Sequence, residues 1–219
     1  MKLMDAQLVQ DPHEAGLRER LVQRQRQRLS KAFQSFHAEG GGGSVLAVCG
    51  RELQRGEPMI AGNADGVDPV VVTCALDVQA QRAGRSLYGR GDGRLLSYGD
   101  GEFDWVCCDG VLEHAGGFMQ QFALLKEMNR VAVKGLFVAT ANRLYPIDLD
   151  SGLPLLHWLP TLVWHRLTGQ KGGQGRYLLT SGALKTMASL LPGKHVIDIG
   201  HVRLAGPKAN FFMMIRKPQ

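Results

Sequence analysis

Beyond residue 44 the chain alternates short apolar runs with helix-periodic segments, and this alternation narrows its possible folds more than any other feature. Residues 45–49, 70–75, 105–108 and 136–140 are strand-like runs. Between the last two, Phe118, Phe122, Leu125, Met128 and Val131 recur at spacings of three and four, which is one face of a helix crossing over a sheet. Such alternation predicts an α/β fold: a Rossmann-like, mostly parallel sheet with helices on both faces. Near the end, residues 195–202 and 210–216 are strand-like and are separated by a stretch containing Gly206-Pro207, which predicts a C-terminal antiparallel hairpin at the sheet edge.

With 219 residues, 44% of them hydrophobic, the chain has material for one well-buried core but not for two full domains. Residues 16–37 read as a basic amphipathic helix, with Leu17, Leu21, Leu29, Phe33 and Phe36 roughly on one face and Arg18, Arg20, Arg24, Arg26, Arg28 and Lys31 elsewhere. The glycines at 40–43 follow, and four residues without side chains read as a hinge or linker. The expected division is a helical docking arm over 1–39, a linker over 40–43 and a domain over 44–219, with removal of the arm leaving the domain folded. The four cysteines show no C-x-x-C or Cys/His ligand spacing, so neither a disulfide framework nor a structural zinc site is expected, and the expected compartment is the reducing cytoplasm.

Charge is unevenly spread. Residues 161–219 carry 9 basic and 1 acidic groups, whereas residues 41–160 carry 10 and 14. A basic C-terminal third suits an anionic substrate, a membrane surface or simply a solvated face. Nucleic acid is disfavoured, because the arginine-rich helix lacks the interleaved aromatics of a base-stacking surface.

The most informative stretch runs from 91 to 114: Gly91-Asp92-Gly93, then Asp100-Gly101-Glu102-Phe103-Asp104, a strand through Cys107-Cys108-Asp109-Gly110, and Val111-Leu112-Glu113-His114. It resembles the class I S-adenosylmethionine-dependent methyltransferases of the small-molecule type. In that family an acidic turn, a D-G-x-F-D segment, the fourth strand and V-L-E-H follow in this order. The likeness continues through Ala141-Asn142-Arg143-Leu144-Tyr145-Pro146. It implies that Asp92 accepts a hydrogen bond from the adenine amino group and that Gly93 leaves room for the ring. Asp109 and Gly110, just past the carboxyl end of a parallel strand, would line the ligand crevice, a placement that follows from the sheet geometry as well. Glu113 and His114 would face cofactor or acceptor, with His114 as a general base, because an imidazole exchanges protons near neutral pH. A helix-cap or packing role for His114 suits the bare sequence equally. Some relatives hold a metal at an E-x-x-E-H sequence here; Gly110 stands where the first Glu would be, so no metal is expected.

The first-strand loop departs from the family pattern. Ala47 stands in place of an acidic residue, and of the G-x-G turn only Gly50 remains, after Cys49 and before Arg51. The resemblance assigns Cys49 and Gly50 to the cofactor loop and leaves the methyl donor weakly held. Asp77 is the candidate for the ribose hydroxyls, with Asp68 favoured by spacing alone. As an enzyme the chain would methylate an oxygen or nitrogen of a small or lipid-linked acceptor, with Asn142, Arg143, Tyr145 and His157 as acceptor contacts. As its rival stands an inactive methyltransferase-like scaffold or partner subunit in a biosynthetic complex.

A hydrophobic insertion near 146–175 contains Leu153-Pro154-Leu155-Leu156-His157-Trp158-Leu159-Pro160 and Val163-Trp164. It resembles an insertion of methyltransferase-like proteins encoded with bacterial surface-glycan genes. Three roles suit it: a lid over the acceptor, a peripheral membrane contact with tryptophans at headgroup level, or an interface with a protein partner or second copy.

Overall fold

The computed structural model describes residues 16–49, 70–73, 89–90, 96, 98–147, 154–160, 163–164, 166 and 176–218. Three helices and seven strands occur among them: α1 (Leu17–Glu39), β1 (Val45–Cys49), β2 (Val70–Thr73), β3 (Gly89–Arg90), β4 (Phe103–Asp109), α2 (Phe118–Val131), β5 (Ala132–Ala141), α3 (Ser181–Ser189), β6 (Val196–Arg203) and β7 (Lys208–Arg216). The strands form one sheet in the order β3-β2-β1-β4-β5-β7-β6. The first five are parallel, and β7 pairs antiparallel with both β5 and β6. The expected mostly parallel sheet with a C-terminal hairpin is the observed one; Ala205 and Gly206, both at positive φ, turn the hairpin.

Because side chains alternate along a strand, β1 divides its apolar residues between two cores. Leu46 and Val48 join Val106, Cys108, Leu136 and Val138 on one face, beneath Leu124, Leu125 and Met128 of α2 and Leu184 and Met187 of α3. Val45, Ala47 and Cys49 join Trp105, Cys107, Phe137 and Ala139 on the other.

That second face is covered by α1. Leu29, Phe33 and Phe36 are fully buried against it, with the Phe33 ring edge-on to Phe137 at 5.4 Å and Phe36 edge-on to Trp105 at 4.9 Å. The amphipathic face expected on this helix exists, but the sheet is what it packs against, so the picture of a detachable docking arm is corrected: α1 is a layer of the core. The glycines after it are correspondingly a fixed turn. Gly41, Gly42 and Gly43 all have positive φ, and the Gly42 carbonyl accepts from the Trp105 indole and the Lys134 ammonium, each at 2.9 Å. Asp104 closes the turn by accepting from the Ser44 backbone N–H at 2.8 Å.

Candidate functional site

Between β1 and β4 the chain parts, running from β1 outward to β2 on one side and from β4 to β5 on the other. At such a switch point the loops leaving the carboxyl ends of the strands diverge and open a crevice. Cys49, buried, ends β1 in register with the half-buried Asp109 that ends β4. Gly110 follows at φ 64, a backbone conformation glycine adopts without strain, and a Cβ added there would meet nothing within 4 Å. Among the described residues, the space beside the Gly110 Cα is therefore open.

Residues 111–114 then turn back toward the sheet through a short 3-10 segment, Leu112–His114. Its Glu113 side chain is buried and accepts a hydrogen bond from Thr140 Oγ1 at 3.0 Å, tying the turn to the end of β5. The Glu113 carbonyl accepts from the Tyr177 N–H at 2.7 Å, and the buried Gln121 of α2 donates its side-chain amide to the Tyr177 carbonyl at 2.8 Å. These bonds brace four parts of the chain around the 111–114 turn. His114, the next residue, is exposed.

Of the expected site residues, Cys49 and Asp109 lie side by side at the ends of β1 and β4, Gly110 follows Asp109, and His114 is exposed four residues further on. Gly50, Asp77, Asp92 and Gly93 lie outside the described residues, as does Arg51. Ala47, which stands where the family pattern has an acid, is described. It is fully buried in mid-strand, paired with Cys107, and belongs to the core on the α1 side of the sheet. The strand end at this crevice is Cys49, and the nearest described acid is Asp109 on the neighbouring strand.

The proposed acceptor contacts separate into two kinds. Asn142 is buried and spends its amide on the chain itself, donating to the Lys208 carbonyl at 2.7 Å and accepting from the Leu144 N–H at 2.9 Å. Tyr145 is buried on the α1 side, where its hydroxyl donates to the Leu204 carbonyl at 3.3 Å and burial pushes its phenol up, which keeps it neutral. His157 is almost wholly buried, with Nε2 2.8 Å from the Tyr145 carbonyl. Its Nδ1 has no hydrogen-bond partner among the described residues. Arg143 alone of the four is half-exposed, its guanidinium donating to the Leu159 carbonyl at 3.3 Å.

Thr140, Gln121 and Tyr177 are absent from the expected site. Thr140 and Gln121 had one signal, a polar side chain in a run whose pattern calls for apolar ones; Tyr177 had none. Among the described cysteines, Cys49, Cys107 and Cys108 are buried. Burial first, then the neighbouring Cys49 and Asp109, pushes the Cys107 thiol well up.

No protein-family model matches the chain, and no curated protein matches it. Solved structures do. The magnesium protoporphyrin IX methyltransferase ChlM of Synechocystis PCC 6803, crystallised with SAH, is 11% identical at a TM-score of 0.59, covering 94% of this chain and 89% of that one. The PH0226 protein of Pyrococcus horikoshii OT3 is 17% identical at 0.57, covering 89% and 91%. A SAM-dependent methyltransferase from Archaeoglobus fulgidus is 13% identical at 0.54, covering 88% and 94%. At these identities the likeness is one of fold, and the fold is that of the class I S-adenosylmethionine-dependent methyltransferases.

Proposed function

We propose that this chain is an S-adenosylmethionine-dependent methyltransferase acting on an oxygen or nitrogen of a small or lipid-linked acceptor. The observation that carries the reading is the β1/β4 switch point, where Asp109 ends β4 beside Cys49 and a Cβ on the following Gly110 would meet no described atom. The described part of the site suits such a donor, since an anionic side chain complements a ligand bearing a sulfonium and an ammonium. When bound, S-adenosylmethionine supplies an electrophilic methyl group on that sulfonium.

The chain's own residues then have separable tasks. Asp109 attracts the cationic part of the donor, and Gly110 leaves the space into which it fits. Glu113, Thr140 and Gln121 hold the 111–114 turn rigid, so that His114 is presented at a fixed point. His114 takes the proton released by an acceptor hydroxyl or amine. Most of the rate would come from holding nucleophile, methyl and sulfur in line, an arrangement worth about 7–11 kcal/mol in well-oriented reactions. Arg143 is the acceptor contact that the geometry supports; Asn142 and Tyr145 shape the loop behind it, and His157 retains a ring nitrogen for a polar acceptor group. Asp77, Asp92, Gly93 and Gly50 remain the proposed contacts of the ribose, the adenine and the methionine part.

A second reading is an inactive scaffold or partner subunit, favoured by Arg51 and the single Gly50 where a G-x-G turn would admit the donor. Incubation with S-adenosylmethionine bearing a labelled methyl group and a panel of hydroxyl and amine acceptors separates the two. The enzyme reading expects label in an acceptor and its loss in His114→Ala. Unlabelled acceptors throughout, with the donor bound or not, favour the scaffold.

A further inference from the structure

Beyond the ends of β4 and β5 the chain closes into a hydrogen-bonded ring. Thr140, one residue before the end of β5, donates its hydroxyl to the Glu113 carboxylate at 3.0 Å. The Glu113 carbonyl accepts from the Tyr177 N–H at 2.7 Å, and two residues further on the Leu179 carbonyl accepts from the Arg143 N–H at 3.1 Å. Residues 140–143 complete the circuit along the chain itself, with Asn142 and Leu179 paired as a parallel bridge. His114 adjoins one member of this ring, and Arg143 is another. Asn142 pins the ring to a third element. Its N–H donates to the Ala209 carbonyl at 2.9 Å and its side-chain amide to the Lys208 carbonyl at 2.7 Å, both at the start of β7, while its Oδ1 accepts from the Leu144 N–H at 2.9 Å. The residue is buried, and a planar amide donates and accepts at once without carrying charge, which neither a carboxylate nor an apolar side chain of the same shape does.

We infer that Asn142 is a positioning residue: through this ring it holds the proposed base, His114, and the proposed acceptor contact, Arg143, in one fixed relation. The two roles rest on the methyl-transfer reading, whereas the ring itself is a property of the chain. Loss of the Asn142 amide leaves the Lys208 carbonyl and the Leu144 N–H without their partners at a part-buried site, and unmade bonds of that kind favour local opening. Because the ring is closed, the opening does not stop at residue 142. Arg143 loses its register against Leu179, Leu179 lies two residues from Tyr177, and Tyr177 is what holds Glu113 from the backbone side. Asn142 spends its polar atoms within the chain, yet it sets the separation of two groups that would meet substrate. In-line transfer is sensitive to that separation, since its rate depends on how well the reacting groups are aligned.

Amide hydrogen exchange of the full chain, followed residue by residue by NMR, tests this without donor or acceptor, so its failure and that of the methyl-transfer reading are separate outcomes. In Asn142→Ala the amides of Arg143 and Tyr177 should exchange faster by on the order of tenfold, the effect of one unmade hydrogen bond at a buried site. Leu136 and Val138, central in β5, should keep their parent rates, and the ring-proton resonances of His114 should move. Lys208→Ala retains the carbonyl that Asn142 uses and should change none of these. Thr140→Val opens the ring on its other side and should speed the Arg143 amide, although the acceptor of that amide is untouched. This second variant carries the test if Asn142→Ala does not fold. Parent exchange at Tyr177 in Asn142→Ala, parent exchange at Arg143 in Thr140→Val, or equal acceleration at Leu136 and Val138 would each overturn the inference.

Discussion

Ala47 shows how much one position on a strand decides. Counted along the sequence, it stands where the family pattern calls for an acid. In space it is two residues short of the crevice and faces Phe33 and Phe137 across the α1 core. Replacing it with Asp puts an unpaired carboxylate among apolar side chains, and an uncompensated buried charge costs on the order of 3–5 kcal/mol. The expected outcome for Ala47→Asp is a large drop in the urea midpoint with no gain in donor affinity; an unchanged midpoint would move the residue out of the core. Asp109, the proposed donor contact, is legible as a residue that lines the crevice. Its location after an apolar run and before glycine predicts a strand end, and parallel-sheet geometry turns a strand end into a crevice wall. Thr140 and Glu113 were harder to foresee, since their bond joins residues 27 apart that meet only when β4 and β5 pair.

Among the elements, α1 gains most from three dimensions. The heptad-like spacing of Leu29, Phe33 and Phe36 defines an apolar face, but no periodicity says whether the partner is the same chain or another. Trp105 and Phe137 answer that, being large aromatics on alternate positions of two strands that lie side by side. Fully burying three such side chains contributes roughly 5–9 kcal/mol, comparable with the whole stability of a typical domain. A truncation beginning at Ser44 should therefore lose its cooperative thermal transition in calorimetry, and Phe33→Ala alone should cost about 3–5 kcal/mol. A truncated chain that melts cooperatively near the parent temperature would contradict this packing.

Another element-scale brace is electrostatic. Arg130 of α2 reaches the loop ahead of β4, pairing with Asp100 and Glu127, both at 2.6 Å, and donating to the carbonyls of Leu96 and Tyr98. The Arg130 hydrogen bonds hold the Glu127 carboxyl below its usual range. At Asp104 desolvation acts in the opposite direction, but hydrogen bonds from Ser44 and Lys134 outweigh it and the carboxyl is again lowered. A carboxyl lowered in the folded state adds stability that is fully present above its unfolded value, about 4, and fades as pH falls through the folded one. Urea midpoints should accordingly hold near neutrality and decline below about pH 4. Arg130→Gln should flatten that decline while lowering the midpoint at pH 7. An equally steep acid limb in the variant would assign the dependence to other groups.

At the scale of the whole molecule, the sheet and its hairpin were readable because strand runs and crossover spacing are local signals that five parallel strands merely assemble. What was not readable is which face each helix covers, and why four glycines make a rigid corner: Gly40 packs so close to Trp105 that a Cβ would strike the indole. The apolar 153–164 stretch was visible as unusual, but only its buried and exposed sides, His157 and Trp164 inward and Trp158 and Val163 outward, separate anchor from surface. The proposed donor crevice lies at the carboxyl edge of the sheet, where Thr140 at the end of β5 donates to Glu113 of the 111–114 turn. Its account as a donor-binding enzyme turns on whether that crevice accepts the adenosyl ligand. Calorimetric titration of the full chain with S-adenosylhomocysteine tests this most directly, alongside Asp109→Asn, which keeps the shape and removes the charge. The account predicts one binding site per chain and an affinity lowered about threefold to tenfold by Asp109→Asn, as for a modest charged contact. No heat and no protection against thermal unfolding at millimolar ligand would contradict it.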